Sequence, residues 1–116
     1  MLAGRRTLSE EYRNECVKRC WVKMHHSRSG EIVVAVCDEE LIGRKLKLSS
    51  GASVEVAESF YKGVLVVEKD VVEYIKMGTI INLLGEKAVF TAIKHGFARM
   101  DSVIYVDGIP HLQLYL

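Results

Sequence analysis

A thiol and an imidazole are the side chains of this chain that could perform covalent chemistry. Cys37 ends a run of apolar residues, and His111 lies near the C-terminus. A thiol becomes a good nucleophile when a base or a helix N-terminus stabilises its thiolate, and a helical turn beginning at Asp38 could do so. These three residues define one alternative, a small cysteine- and histidine-dependent enzyme. We assign no catalytic residue, because the sequence supplies no further group to orient the histidine.

The polar step Asn82-x-x-Gly85-Glu86-Lys87 interrupts two apolar segments. Its glycine precedes a predicted helix, whose free amide hydrogens and dipole can bind an anion. Glu86 would repel a phosphate there, and the glycine spacing matches neither common nucleotide-binding loop. Two interpretations stay open. Asn82, Glu86 and Lys87 contact a ligand or macromolecule, or Asn82 hydrogen-bonds the turn, Gly85 permits close packing and Glu86 complements the helix dipole.

Cysteine and histidine residues near the N-terminus raise the question of a metal site. Cys16, Cys20, His25 and His26 place four soft ligands within eleven residues. A structural zinc site needs tetrahedral convergence, but the usual Cys-x-x-Cys knuckle is absent, and adjacent histidines on an extended segment point to opposite faces. We therefore predict packing cysteines, exposed histidines and neither a metal site nor a cofactor.

Aromatic and basic side chains in the middle of the chain indicate a contact with RNA. Tyr61 and Lys62 follow Phe60, which we assign to the core. An exposed ring beside a cation can stack on a base, so we predict that Tyr61 and Lys62 are exposed and functional. His111 alternates with Leu112 and faces away from it, which suits recognition better than packing.

Charge is distributed unevenly along the chain. Residues 1–28 contain seven Lys or Arg against three Glu, a net charge of +4, whereas the whole chain carries +1. Lys and Arg supply the salt-dependent part of nucleic-acid affinity, which makes Arg5, Arg6 and Arg13 candidate phosphate contacts. The alternative is a solvated basic helix face.

Composition and length limit the class of protein. The 116 residues are 49% hydrophobic and 27% charged with a single proline, which is typical of one folded globular domain. Three cysteines without a preceding apolar signal-peptide core predict a cytoplasmic protein with reduced thiols. Apolar runs stay well short of the roughly 20 residues that cross a bilayer, so we expect no membrane association.

Periodicity and turn residues predict the elements that position these side chains. Thr7 and Glu10 fit a capping box, which predicts a short helix over residues 7–18, and Asp38 should cap a helical turn over residues 39–42. Gly78 and Gly96 lie where two longer helices should end. These helices are predicted at Glu68–Met77 and 85–95, and the strands at 20–24, 31–37, 44–48, 53–57, Val64–Val67, 79–84, 102–106 and 110–116.

The order of these elements predicts an α+β fold. We expect a mixed, mostly antiparallel sheet with two main helices on one face and a short N-terminal helix. Residues 1–19 form a basic N-terminal helical extension, and residues 20–116 a single α+β domain. Pro110 lacks an amide hydrogen, so its strand should lie at a sheet edge or start there. That edge, residues 110–116, is a candidate surface for homo-oligomer formation.

Four short motifs, in a fixed order, carry a resemblance to a known family. They are Cys37-Asp38-Glu39-Glu40-Leu41-Ile42-Gly43, Ser59-Phe60-Tyr61-Lys62-Gly63, Asn82-Leu83-Leu84-Gly85-Glu86-Lys87-Ala88 and Gly108-Ile109-Pro110-His111-Leu112-Gln113. Over roughly residues 22–113 the chain resembles the archaeal family catalogued as domain of unknown function 424. The resemblance implies a small archaeal cytosolic protein of no established activity, belonging to the translation or RNA-processing machinery. It supplies no catalytic residues, and the apolar Val64–Val67 stands where an acidic step is expected.

Polar motifs without catalytic geometry favour a binding protein over an enzyme. We predict a non-enzymatic, translation-linked module that binds RNA or a ribonucleoprotein. The alternatives are the small cysteine- and histidine-dependent enzyme and a homo-oligomeric scaffold. The candidate binding residues are Tyr61, Lys62, Asn82, Glu86, Lys87, His111, Arg5, Arg6 and Arg13.

Overall fold

The computed structural model describes residues 19–116, and within this range eight strands form a large sheet and a separate two-stranded ribbon. The strands are β1 (Arg19–His26), β2 (Ile32–Asp38), β3 (Lys45–Lys47), β4 (Ser53–Glu55), β5 (Val64–Val67), β6 (Ile80–Leu84), β7 (Ile104–Val106) and β8 (Ile109–Tyr115). The large sheet has the order β5-β1-β2-β6-β8-β7, and β3 pairs with β4 in the ribbon.

The two longer helices within residues 19–116 lie where apolar residues recur at helical spacing. The helices within residues 19–116 are α1 (Glu58–Tyr61), α2 (Glu68–Met77) and α3 (Glu86–Lys94), and 3-10 turns occupy Glu39–Leu41 and Met100–Ser102. Val71, Val72 and Ile75 are the buried residues of α2, one face of the helix, and Gly78 follows its last turn. The predicted bounds of α2 are confirmed.

Strand pairing makes the large sheet mixed. β2 and β6 run parallel, with Val33 opposite Ile80 and Cys37 opposite Leu84. The other neighbouring pairs of this sheet are antiparallel within the described residues. Because β2 and β6 run in the same direction, their C-terminal ends meet at the start of α3.

Two apolar clusters lie on opposite faces of the sheet, because successive strand residues point to opposite sides. On one face Val36, Leu83 and Leu112 pack against α2 and α3. On the other face Cys37 and Leu84 pack against α1 and the ribbon. The predicted α+β class, with a mixed sheet and two main helices on one face, is confirmed within residues 19–116.

The C-terminal hairpin differs from its predicted placement. β8 lies between β6 and β7, with Pro110 as its second residue opposite Tyr105, so the edge strand at this end is β7. Of the two predicted placements of Pro110, the sheet edge is therefore wrong over residues 109–111, whereas the strand start is met to within one residue. Residues 112–115 pair with β6 alone among the described strands, so that half of β8 keeps a free edge. The predicted helix over residues 7–18 lies outside the described range.

Candidate functional site

A carboxylate from a neighbouring strand closes the N-terminus of α3. Asp38, the last residue of β2, accepts hydrogen bonds from Ala88 N at 2.8 Å and from Lys87 N at 3.0 Å, one on each carboxylate oxygen. Asp38 therefore occupies the position that an anion would take at this helix end. The prediction that Asp38 caps the turn over residues 39–42 is wrong, since within residues 19–116 that turn receives no side-chain cap. The parallel pairing of β2 and β6 brings Asp38 to the later helix instead.

Gly85 makes this closure possible in two ways. Its φ angle of 108° lies in the region that side chains disfavour. An added Cβ would lie 2.6 Å from Asp38 Oδ2, so the position has no room for a side chain. Gly85 N donates a hydrogen bond to Pro110 O at 2.9 Å, which ties the turn to β8. Gly85 thus permits close packing, as one of the two interpretations of the motif proposed.

Two groups at the buried end of β2, Asp38 and Cys20, have raised pKa values. Burial raises the pKa of Asp38, and the amides of Lys87 and Ala88 oppose that shift. Burial, followed by the charge of Asp38, raises the pKa of the Cys20 thiol, whose Sγ lies 3.9 Å from Asp38 Oδ1. This thiol therefore stays protonated and packs as a small apolar group.

Glu40 holds the ammonium group of Lys87 at the surface above this turn. Lys87 Nζ lies 3.0 Å from Glu40 Oε1. Burial works against ionisation of Glu40, but the hydrogen bond from Lys87 outweighs it and leaves the pKa of Glu40 below its ordinary value. Glu86 is exposed beside them. The predicted binding residue Lys87 thus already has an anionic partner.

The thiol of Cys37 and the imidazole of His111 do not meet. Leu84 pairs with Cys37 on one side and with His111 on the other, so two strand spacings of about 4.8 Å separate the two residues. Asp38 points to the opposite face, toward α3. Burial raises the pKa of the Cys37 thiol to about 12. This arrangement gives the thiol neither a base nor a stabilised thiolate.

A chain of hydrogen bonds crosses the second face of the sheet. Tyr61 OH donates to Asn82 Oδ1 at 2.6 Å, Asn82 Nδ2 donates to Gln113 Oε1 at 3.2 Å, and Gln113 Nε2 donates to Tyr115 OH at 2.7 Å. Tyr61 is buried, so the prediction that it is exposed is wrong. Burial also raises the pKa of its hydroxyl. The side chain of Asn82 bonds Tyr61 and Gln113, not the turn before α3.

Aromatic rings surround the short helix α1. His25 stacks on Phe60 with ring centroids 4.9 Å apart, and His25 Nε2 lies 2.8 Å from Phe60 O. Lys62 is exposed, as predicted, and its Nζ lies 5.4 Å from the centroid of the Trp21 ring. The predicted exposure of the histidines holds for His26 and not for His25, which is half-buried.

Tyr61 and His111 line one cavity between the ribbon and the sheet. Its volume is about 200 Å³, and most of its wall is aliphatic, including Leu46, Val56 and Leu84. His111 is half-buried in this wall, and burial lowers the pKa of its imidazole. Within residues 19–116 no protein group forms a hydrogen bond with this imidazole. The fold thus brings together two residues from separate sequence motifs.

A larger groove lies next to this cavity, between the ribbon turn and the β7–β8 turn; we name it the ribbon groove. It measures about 530 Å³, and its lining residues are Lys47, Leu48, Ser49, Ser50, Tyr105, Val106 and Asp107. Lys47 N donates to Asp107 Oδ2 at 3.0 Å and fixes the two turns together. Leu48 and Val106 line both the groove and the cavity, which therefore lie next to each other.

Unpaired cations distinguish β3, whose Lys47 lines the ribbon groove, from the turn before α3. The side chains of Lys45 and Lys47 are exposed and form no ion pair within residues 19–116. The Tyr105 ring is 59% exposed. Sequence reasoning missed these residues. The run Arg44-Lys45-x-Lys47 was the available signal, and the surplus of acids in the second part of the chain concealed it.

Comparison with known proteins covers nearly all the elements described above. Residues 25–116 match the family model described as a protein of unknown function, DUF424. The chain belongs to the DUF424 family. The resemblance of the four sequence motifs is thus confirmed. A comparison with curated proteins found no match.

A solved structure shares the DUF424 fold seen in this chain. It is described as the crystal structure of an uncharacterized conserved protein from Methanopyrus kandleri. The similarity has a TM-score of 0.71 and 32% sequence identity, and covers 84% of this chain and 90% of that chain. This DUF424 protein and its structural relative therefore agree in architecture over most of their lengths.

The DUF424 protein distributes its predicted site residues over separate places. Tyr61, Asn82 and His111 lie on the second face of the sheet, whereas Glu86 and Lys87 lie at the start of α3. The predicted residues Arg5, Arg6 and Arg13, and the cysteine at position 16, lie outside the described residues. Within residues 19–116 no group of three or more metal-ligating side chains comes together. Among the helices of this range, none combines the length and the apolar character that a membrane crossing demands.

Proposed function

We propose that this DUF424 protein is a non-enzymatic, cytoplasmic binding module that associates with RNA in a ribonucleoprotein of the translation machinery. The ribbon groove is its contact with the nucleic acid. The observation that carries this proposal is the exposed, unpaired Lys47 in the wall of a groove that also exposes Tyr105, with the exposed Lys45 two residues earlier on β3.

Phosphate contacts would come from the ribbon. Lys45 and Lys47 alternate with the buried Leu46, so both project from the solvent side of β3. Cations without an internal partner lose no ion pair when they bind a phosphate, in contrast to Lys87, which would have to leave Glu40. Release of counterions from the phosphates then makes the affinity dependent on salt.

Base contacts would come from the other wall of the groove. Tyr105 offers an exposed ring, and stacking of a base on such a ring stabilises a complex by about 1–3 kcal/mol. The hydroxyl groups of Ser49 and Ser50 line the same groove and can hydrogen-bond phosphate or sugar. This combination suits single-stranded RNA, whose bases are free to stack.

Sedimentation of native lysate on a density gradient tests the association. At low salt we expect the protein in the RNA-containing fractions, and we expect nuclease treatment or high salt to move it to the top. Cosedimentation with ribosomal subunits would link the protein to the translation machinery. If the protein stays in the top fractions at low salt with and without nuclease, the proposal is wrong.

Charge-reversal variants locate the contact. K45E/K47E should leave the RNA-containing fractions at low salt, because it replaces the two free cations by acids. K69E/K76E is the matched control, since it makes the same change in net charge on α2, which packs on the opposite face of the sheet. Equal behaviour of the two variants would show a general charge effect and remove the ribbon groove from the proposal.

A deletion of residues 1–18 tests the candidate arginines Arg5, Arg6 and Arg13 in the same gradient. We expect the deletion to weaken the association and to add to the effect of K45E/K47E, because the two regions would contact different phosphates. A deletion without any effect would remove these three residues from the proposed contact.

A homo-oligomeric scaffold is a second candidate, favoured by the free edge of β8. Residues 112–115 pair on one side among the described strands, and Tyr115 at the end of this edge is 71% exposed. An exposed strand edge can pair with the same edge of another copy. Light scattering should give twice the monomer mass if this edge joins two chains, and the monomer mass if it does not.

A further inference from the structure

We propose that the cavity beside the ribbon groove receives one extruded nucleobase of a bound single-stranded RNA, with His111 reading the edge of that base. This inference rests on the proposed function and adds a specificity pocket to it. Its basis is the size of the cavity, an imidazole in its wall that has no protein partner within residues 19–116, and the neighbouring groove, whose wall includes Lys47.

Size restricts the occupant to a small group. The cavity measures about 200 Å³, whereas sites that enclose a drug-sized molecule typically measure about 300–1,000 Å³. A single base, or one side chain of a polypeptide, matches this smaller space. Val54 of β4 lines the cavity and is 46% exposed, so this part of the wall reaches the solvent.

The chemistry of the wall favours a base over an aliphatic side chain. Leu46, Val56 and Leu84 make the wall apolar, and apolar side chains can stack on the faces of an aromatic ring. His111 adds a polar group to the same wall, and within residues 19–116 no protein group satisfies it. Neutral imidazole carries one donor and one acceptor, the pattern that a base edge complements. An aliphatic side chain would make no hydrogen bond with this group.

The position of the cavity agrees with the path of a nucleic-acid backbone. Leu48 and Val106 line both the cavity and the ribbon groove, so a strand bound in the groove passes next to the cavity. Lys47 in the groove wall can take a phosphate of that strand, and Lys45, two residues away on the same side of β3, can take another.

Binding of labelled single-stranded RNA to the full chain, measured by fluorescence anisotropy at low salt, tests the pocket. The probes are 12-nucleotide homopolymers of each base and an oligonucleotide with an abasic backbone. V54F places a larger side chain in the wall of the cavity. Because Val54 is partly exposed, we expect the fold to tolerate the ring. We expect V54F to weaken binding about tenfold, to the level of the abasic probe. H111F should bind the four homopolymers alike, and H111Q, which keeps a donor and an acceptor, should restore part of the preference.

The outcomes separate the pocket from the proposed function. If the wild-type chain binds RNA and V54F binds it equally well, the base pocket is wrong and the RNA association stands. If the wild-type chain binds no RNA at low salt, the proposed function fails, and the pocket fails with it. A displayed peptide library is panned on the same proteins. Peptides that bind the wild-type chain and lose binding in V54F, together with RNA binding that V54F leaves unchanged, would assign the cavity to a polypeptide.

Discussion

The turn before α3 and the ribbon groove both gather polar and charged side chains, but these side chains have different partners. In the turn, both oxygens of Asp38 accept backbone amides of α3, and Lys87 is paired with Glu40. At the ribbon, Lys47 of the groove wall and Lys45, two residues earlier, are unpaired within residues 19–116. The helix end that could bind an anion is therefore already filled, whereas the groove keeps its charges for another molecule.

This difference separates polar groups that stabilise the fold from polar groups that are available for binding. A polar side chain with all its bonds made inside the protein contributes to folding, and its removal leaves unsatisfied partners. A solvated cation contributes little to folding, so its replacement changes binding without changing stability. Variants of the turn should therefore lower stability, and variants of the groove should lower RNA affinity.

The largest loss of stability should follow substitution of the glycine in the turn. G85A combines a positive φ angle with a collision against the carboxylate of Asp38, and should lower the free energy of unfolding by about 4 kcal/mol. G96A is the matched control, because Gly96 has a φ angle of 84° and open space around its Cα. It should cost about 1 kcal/mol. Urea denaturation measures both, and equal losses would show that the carboxylate imposes no steric limit.

Removal of the carboxylate should give the next largest effect. D38A leaves the amides of Lys87 and Ala88 without acceptors at a buried helix end, and should cost about 2–3 kcal/mol in urea denaturation. E39A is the control one residue further, because Glu39 pairs with the exposed Arg19 and should cost less than about 1 kcal/mol. A D38A loss no larger than that of E39A would contradict the structural role of the turn.

Variants of the lysines at the groove should change RNA binding and leave stability nearly unchanged. K45E/K47E should change the free energy of unfolding by less than about 0.5 kcal/mol. Loss of two phosphate contacts should lower the slope of log affinity against log salt for single-stranded RNA by about 1.4. Titrations at several salt concentrations measure the slope, with K69E/K76E as the control. An unchanged slope together with a large loss of stability would place these lysines among the structural residues.

The sequence predicts much of the fold, because local patterns carry it. The bounds of α2 follow from apolar residues at helical spacing and a terminal glycine, and the hairpin of β1 and β2 from a turn between apolar runs. The four-residue helix α1 was not predicted, since so short a segment has no periodicity to detect. Likewise, the place of β8 inside the sheet depends on β7, which covers three of its residues.

The candidate site could be predicted only in part, because long-range pairing decides it. Asp38 caps a helix that begins about 50 residues later, a choice set by the parallel pairing of β2 and β6. The ribbon groove joins Lys47 to Asp107, which are 60 residues apart in the chain. Tyr61 and His111 are both predicted as binding residues, but no local pattern indicates that they share a cavity.

The smallest effect should come from a partly exposed ion pair on the surface where α2 meets α3. Glu68 Oε2 lies 2.9 Å from His95 Nε2 and 3.1 Å from Lys94 Nζ, and the hydrogen bonds from His95 and then Lys94 hold the pKa of Glu68 below its ordinary value. A carboxyl with a lowered pKa in the folded state stabilises the fold above its unfolded pKa, and this contribution is lost as the pH falls through the folded pKa.

E68Q should therefore cost about 0.5 kcal/mol at pH 7, because solvent screens these partly exposed side chains, and the cost should decrease as the pH falls from the ordinary pKa of glutamate through the lower pKa of the folded state. E73Q is the control, since Glu73 and Lys76 are both more than half exposed in their pair. Urea denaturation at pH 7 and at pH 3 measures the difference. A cost of E68Q that persisted at pH 3 would arise from packing and not from charge, and would place Glu68 with the structural polar groups of the turn.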